Sequence, residues 1–159
     1  MPLDPDNFRS VLGRFASGVT ILTTRDANGR DHGMTVSSFC SLSLTPPLVL
    51  MCIDRAADMH AVLTPGMHVV INVLAARQEA LSRRFAEDEG SHRFDGIGFS
   101  RNIHDVPIID DVLAWLEGEV TEYLPGGDHG IFLAQVDTAS ARELRPLLHY
   151  RGGYAQLER

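Results

Sequence analysis

Residues 19–36 read VTILTTRDANGRDHGMTV and predict a β-hairpin. The run Val19–Thr24 is rich in β-branched residues, which favour strands. The segment Asp26–Arg30 contains Asn28-Gly29, a dipeptide that is a strong signal for a hairpin turn. The return strand then runs through Met34–Val36. The hairpin indicates an antiparallel sheet near the start of the chain.

A helix is predicted before this hairpin. Asp4 is suited to cap it, and Pro5 fits its first turn. Apolar residues recur at helical spacing, at Phe8, Val11, Leu12 and Phe15. This stripe predicts one apolar helix face.

Further strands are predicted beyond the hairpin. In Ser37–Leu44, leucines alternate with serines, which predicts a strand with one polar face. Thr45–Pro47 predicts a rigid corner. Leu48–Ile53 is apolar throughout and predicts a central buried strand. Other predicted strands are His68–Leu74, Val112–Tyr123, Ile131–Val136 and Leu147–Tyr150. Helices are predicted at Ala57–Leu63 and Arg77–Ala86, and a turn at Pro125–Asp128. An acidic loop at 87–91 is followed by a segment of weak periodicity, predicted to be irregular, that runs to about Pro107.

This pattern indicates six or seven strands and two or three helices in one domain spanning residues 1–159. The strands and helices do not alternate regularly, so a doubly wound parallel sheet is a poor fit. The predicted fold is mostly β, a largely antiparallel barrel with helical insertions.

Composition and motifs exclude several classes of function. The formal charge is 14 − 21 = −7, and no long basic run is present, so nucleic-acid binding is not expected. The seven histidines are scattered without metal-ligand spacing, and no dinucleotide fingerprint, phosphate loop or nucleophile elbow occurs. Cys40 and Cys52 do not form a CxxC motif, and we expect small buried thiols in a reducing compartment. The N-terminus lacks the apolar region of a signal peptide, so we expect a cytoplasmic protein.

The segment Thr35–Ser43 carries five hydroxyl residues among nine. One interpretation is a half-exposed strand and turn. The other is a surface of hydroxyl and backbone N–H groups that contacts a polar ligand such as a phosphate.

Two other segments have both a structural and a functional interpretation. Arg83 and Arg84 are adjacent on a predicted helix. Either both are solvated cations, or one of them binds an anionic group. Asp128-His129 follows two glycines. The structural interpretation is a polar hairpin turn. The functional interpretation is that the Asp128 carboxylate orients the His129 ring at the rim of the barrel.

Five segments together resemble the short-chain flavin reductase family, whose domain is an FMN-binding split β-barrel with Greek-key-like antiparallel strands. The resemblance covers Phe8 to Leu157, nearly the whole chain. The matching segments are Phe8–Thr20, Gly33–Leu48, Ser82–Ala86, Gly127–His129 and Pro146–Gly152.

The resemblance implies an NAD(P)H:flavin oxidoreductase. Members are homodimers that use FMN or FAD with NADH or NADPH, and many supply reduced flavin to the large component of a monooxygenase. With no basic cluster for a 2′-phosphate, NADH is favoured. His129, oriented by Asp128, would serve the nicotinamide side as the catalytic pair. The implied flavin-binding residues are Thr35, Val36, Ser37, Ser38, Cys40, Ser41, Ser43, Asn72, Ser82, Arg83, Arg84, Phe85, Tyr150 and Arg151.

Three alternatives remain at this point. One is a flavoenzyme that keeps tightly bound FMN and reduces another acceptor. Another is a flavin-binding carrier or sensor without turnover. The third is an interaction domain with an empty barrel.

Overall fold

The computed structural model describes residues 1–87 and 90–158. Its α-helices are α1 (Pro5–Leu12), α2 (Asp58–Val62) and α3 (Glu79–Glu87), with 3-10 turns at Ala76–Gln78 and Gly90–His92. Asp4 caps α1 as predicted, because its Oδ2 accepts a 3.0 Å hydrogen bond from the Asn7 N–H. No helix in the described part of the chain is long and apolar enough to cross a membrane.

Twelve strands are present among the described residues. They are β1 (Ser17–Gly18), β2 (Thr20–Arg25), β3 (Asp31–Val36), β4 (Phe39–Leu44), β5 (Pro47–Asp54), β6 (His68–Val73), β7 (Phe99–Arg101), β8 (Pro107–Ile109), β9 (Ala114–Gly126), β10 (His129–Ala141), β11 (Leu147–Tyr150) and β12 (Gly153–Gln156). Seven form one antiparallel sheet in the order β3-β2-β6-β9-β10-β5-β4. The predicted mostly-β antiparallel fold is confirmed.

The two edges of this sheet are joined by Ser37 and Ser38, which connect β3 directly to β4. The Ser38 carbonyl accepts a 3.0 Å hydrogen bond from the Cys52 N–H, and the Ser38 hydroxyl donates to the Cys52 carbonyl at 2.6 Å. The sheet therefore curls so that its opposite edges meet at this crossing.

Strand β2 separates two hydrophobic cores. Its residues alternate in direction, as strand geometry requires. Leu22 belongs to the core inside the curled sheet, together with Met51 and Phe132. Ile21 belongs to the core beneath α3, together with Phe85. Because both faces are covered, Thr20–Thr24 are all buried.

The predicted hairpin at residues 19–36 is confirmed as β2 and β3, with Gly29 at φ +77° in the turn. The two predicted internal helices and the buried strand at 68–74 are also confirmed. Strands β9 and β10 each extend over 13 residues, further than predicted, so that only Gly127 and Asp128 remain as the turn.

Three expectations are wrong. Leu48–Ile53 is not a central strand, since β5 lies next to the edge and only alternate residues are buried. Cys40 is exposed and Cys52 is half-buried. The segment before Pro107 contains β7, which pairs with β8 in a hairpin. The apolar stripe predicted on the first helix is exposed, and Phe15, just beyond α1, is 82% exposed. Asp88 and Glu89 of the predicted acidic loop lie outside the described residues.

Candidate functional site

A groove lies between the edge strand β3 and helices α2 and α3. Its volume is about 360 Å³, within the range of small-ligand sites. The walls are mainly small or apolar, with one hydroxyl and two charged groups among them. The lining residues are Met34, Thr35, Ala56, Ala57, Asp58, Met59, Phe85, Ala86 and Arg93.

Thr35 connects the strand wall of the groove to the helix wall. Its hydroxyl donates a 2.6 Å hydrogen bond to the carbonyl oxygen of Ser82 in α3. The threonine oxygen keeps lone pairs that accept further hydrogen bonds. One candidate site residue thus lies in the groove and fixes the position of a second.

The backbone of β3 directs polar groups towards the groove. Among the residues that the structure describes, this edge strand pairs only with β2. The carbonyl of Gly33 points away from β2, because it accepts a 2.7 Å hydrogen bond from Arg93 Nη1. Backbone groups alternate in direction along a strand, so Thr35 presents its N–H and C=O to the same free side. The groove therefore has a polar edge between apolar walls.

Close packing holds α3 against this edge. A Cβ atom added to Gly33 would lie 2.5 Å from Cε1 of Phe85, so no larger residue fits without movement. Phe85 is fully buried and packs edge-on against Phe94, with ring centroids 5.1 Å apart. Phe85 lines the groove from within the core.

Ser82 is held by a tyrosine that the sequence analysis did not select. The hydroxyls of Ser82 and Tyr154 lie 2.7 Å apart, and Ser82 is fully buried. Arg83 lies over the Tyr154 ring at 4.8 Å and donates to Glu79 at 2.8 Å. The hydrogen bond to Glu79 raises the pKa of Arg83. Arg84 donates to the His92 carbonyl at 2.7 Å. Neither arginine lines the groove.

Asp128 and His129 occupy the turn between β9 and β10. His129 Nδ1 lies 2.7 Å from Asp128 Oδ1, and this hydrogen bond lowers the pKa of the Asp128 carboxyl. His129 is paired with Asp54 at the end of β5, and the Asp128 carbonyl accepts from the Arg55 N–H. The next residue, Ala56, lines the groove. The histidine therefore lies at the end of the segment that forms one groove wall.

Asn72 does not reach the groove. Its side chain is fully buried and donates to the Ile21 carbonyl at 2.9 Å and the Thr23 hydroxyl at 3.2 Å. Its Oδ1 accepts a 2.9 Å hydrogen bond from the Ile109 N–H. All of these partners belong to the fold. In this structure Asn72 fixes the β7–β8 hairpin against β2.

Other candidate residues also lie away from the groove. Val36 is buried in the core, and Ser37 lines a separate hollow with Gly18 and Phe39. Cys40 and Ser41 are exposed on β4, at the opposite edge of the sheet, and Ser43 on the same strand is half-buried. Tyr150 is exposed, and Arg151 lines a hollow against α1. The chain by itself does not gather these residues into one site.

Residues 56–59 and Arg93 line the groove, but the sequence analysis did not select them. Ala56 and Ala57 carry no chemical signature, and a single arginine in a stretch of weak periodicity has none either. Within residues 1–87 and 90–158, no cluster of three metal-ligating side chains occurs.

The family model described as flavin reductase like domain matches residues 12–158 of this chain. This protein belongs to the flavin reductase family. The split-barrel fold inferred from the sequence agrees with this membership.

Relatives of this flavin reductase family member carry related names. It is 39% identical over 153 residues to the reductase component of 4-nitrophenol 4-monooxygenase/4-nitrocatechol 2-monooxygenase from Rhodococcus opacus, covering 96% of this chain and 81% of the relative. It is 34% identical over 151 residues to the stachydrine N-demethylase reductase subunit of Rhizobium meliloti (strain 1021), covering 95% of this chain and 65% of that relative.

The structure of this family member also matches a solved complex. The NADH:FAD oxidoreductase of Streptomyces globisporus, in complex with NAD and FAD fragments, superposes with a TM-score of 0.88 at 34% identity. The match covers 99% of this chain and 96% of that one. The similarity therefore extends over the groove and over the Asp128–His129 turn.

Proposed function

We propose that this protein is an NADH-dependent flavin reductase that supplies reduced flavin to a partner monooxygenase. The observation that carries this proposal is the groove beside β3, with a polar backbone edge between apolar walls. A flat heteroaromatic ring with hydrogen-bonding groups along one side fits such a surface. The relatives named as reductase components support the same activity.

We assign the flavin to the groove because the residues that line the groove suit the ring, sugar and phosphate parts of a flavin. Met34, Met59 and Phe85 supply apolar contact for a ring system. Thr35 and the free edge of β3 supply hydrogen-bonding groups for its polar side. Asp58 suits sugar-type hydroxyls, and Arg93 suits a phosphate.

The chemistry requires position and electrostatics more than a strong acid or base. A bound flavin would supply the hydride chemistry, so the role of the protein would be to hold the flavin and nicotinamide rings in place and to exclude water. The backbone N–H groups of an edge strand stabilise negative charge that develops beside them. His129, held by Asp128, contacts the nicotinamide donor at the rim.

A homodimer is part of the proposal. Side chains that are apolar and at least half exposed lie on α1, just after it, and on β4. They are Phe8, Val11, Leu12, Phe15, Leu42 and Leu44. Exposed apolar side chains in such number are typical of a protein interface. We expect the protein in solution to have the molecular mass of two chains and the Leu44→Arg variant to have the mass of one.

We also assign the protein to the cytoplasm, where NADH is available and thiols stay reduced. Cys40 and Cys52 are both free, which suits that compartment.

Blocking the groove tests the site. Ala56→Phe places a ring in the groove and should abolish quenching of flavin fluorescence on binding. Ala61→Phe introduces the same ring on the exposed side of α2, away from the groove, and should leave binding intact. Flavin binding that survives in Ala56→Phe would move the flavin to another part of the surface.

A further inference from the structure

The groove continues beyond Asp58, Met59 and Arg93 into a second hollow. These three residues line both spaces. The second hollow has a volume of about 130 Å³ and is otherwise lined by Arg30, His32, Gly33 and Gly90. A ligand that fills the groove can thus extend past Met59 without leaving the protein surface.

Arg30 is the distinctive group in this second hollow. Its guanidinium makes no hydrogen bond or ion pair within the part of the chain that the structure describes. Most other arginines near the hairpin do have acidic partners, as Arg25 and Arg101 both bind Asp31. An unpaired arginine in a hollow of an acidic protein is suited to an anionic ligand.

The backbone around Arg30 is held in place by the hairpin turn. Its N–H donates to Asp26 Oδ1 at 3.0 Å, and its carbonyl accepts from the Asp26 N–H at 2.9 Å. Asp26 Oδ2 also lies 2.8 Å from His32 Nε2, and that hydrogen bond lowers the pKa of Asp26. The Asp26 carboxylate is thus occupied by the turn and by His32, which leaves Arg30 available.

The two flavins differ beyond their first phosphate. FMN ends in one phosphate, whereas FAD carries a second phosphate and an adenosine. We infer that this second hollow binds the adenosine-side phosphate of FAD and that Arg30 makes FAD the preferred flavin. Arg93, which lines both spaces, serves the phosphate that the two flavins share. This inference rests on the proposed assignment of flavin to the groove.

NADH is also a dinucleotide, so the KM for NADH is measured beside flavin affinity to distinguish binding of the donor from binding of FAD.

The test compares FAD and FMN binding in two variants. Dissociation constants are measured by flavin fluorescence quenching, together with the KM for NADH. Arg30→Gln should raise the Kd for FAD about five- to tenfold and leave the Kd for FMN within about twofold. Arg93→Gln should weaken both flavins. Arg145→Gln is the matched control, since Arg145 is exposed, unpaired among the described residues and outside both spaces.

The outcomes separate the inference from the proposed function. If Arg30→Gln raised the Kd for both flavins equally, or left the Kd for FAD unchanged, the inference would be overturned. A raised KM for NADH with unchanged FAD binding would assign the hollow to the donor and also overturn it. If the unaltered protein bound neither flavin, the proposed function itself would fail.

Discussion

The hydroxyl of Thr35 in β3 donates a 2.6 Å hydrogen bond to the carbonyl oxygen of Ser82 in α3. This bond joins the two sides of the groove across 47 residues of sequence. Together with the packing of Phe85 on Gly33, it sets the spacing between strand and helix. The first prediction concerns its removal.

Thr35→Val keeps the shape of the side chain but removes the hydrogen bond. We expect the free energy of unfolding to fall by about 1 kcal/mol and the Kd for flavin to rise severalfold. Thr24→Val is the matched control, because Thr24 donates a 2.7 Å hydrogen bond to the His68 carbonyl away from the groove. Urea denaturation and fluorescence titration measure the two effects. Equal flavin binding by both variants would show that Thr35 has only a structural role.

His129→Ala should raise the KM for NADH more than it weakens flavin binding. The reason is that His129 lies at the rim, with its side chain 42% exposed, and not among the groove-lining residues. Asp128→Asn should give a smaller effect in the same direction, since it weakens the bond that orients the ring. Steady-state kinetics at saturating flavin provides the KM. A loss of flavin affinity with an unchanged KM would assign His129 to the flavin.

Asn72→Ala should destabilise the protein without changing flavin affinity in the folded fraction. The substitution leaves the Ile21 carbonyl and the Ile109 N–H without their buried partner. A loss of about 2–4 kcal/mol is expected. Asn7→Ala, at an exposed position on α1, is the control. If the folded variant bound flavin much more weakly at unchanged stability, Asn72 would belong to the site after all.

Asp31 should make the stability of the hairpin depend on pH. Partial burial alone would raise the pKa of Asp31, but Arg101 and Arg25 together lower it below the usual value. The stabilisation is therefore present above the pKa of the unfolded chain, about 3.9, and is lost as the pH falls through the lower folded-state pKa.

Asp31→Asn should cost about 1 kcal/mol at neutral pH, and the difference from the unaltered protein should shrink in acid. Denaturation at neutral and at acidic pH measures it. Asp6→Asn removes an exposed carboxylate paired with Arg9 and should change little at either pH. If the difference in stability between Asp31→Asn and the unaltered protein grew in acid, the ion pairs of Asp31 would not be its cause.

Local sequence signals predicted the hairpin and the helices. Asn28-Gly29 fixed the turn because Gly29 adopts a positive φ, and Asp4 with Pro5 marked the start of α1. Burial was harder to predict. Leu48–Ile53 is apolar throughout, yet β5 lies beside the edge, so half of its side chains are only partly covered. The position of a strand in a sheet depends on distant pairings that its own residues do not encode.

The candidate site was predicted only in part for a similar reason. Thr35, Ser82 and Phe85 stood out by residue type or by resemblance, and the structure brings them together. Ala56, Ala57 and Arg93 are ordinary residues that long-range packing places on the groove. The family resemblance implied Asn72 as a flavin contact, but its hydrogen-bond partners are the Ile21 carbonyl, the Thr23 hydroxyl and the Ile109 N–H. A buried amide satisfies the fold or a ligand, and sequence does not distinguish the two.

The most direct test of the account is the oxidation of NADH by the purified protein, titrated with FAD and FMN. We predict turnover that requires added flavin, saturates with it, and reaches half-maximal rate at a lower concentration of FAD than of FMN. The same titration with Ala56→Phe should show no flavin-dependent turnover. Flavin binding in the groove without any oxidation of NADH would contradict the reductase assignment and indicate a carrier or sensor.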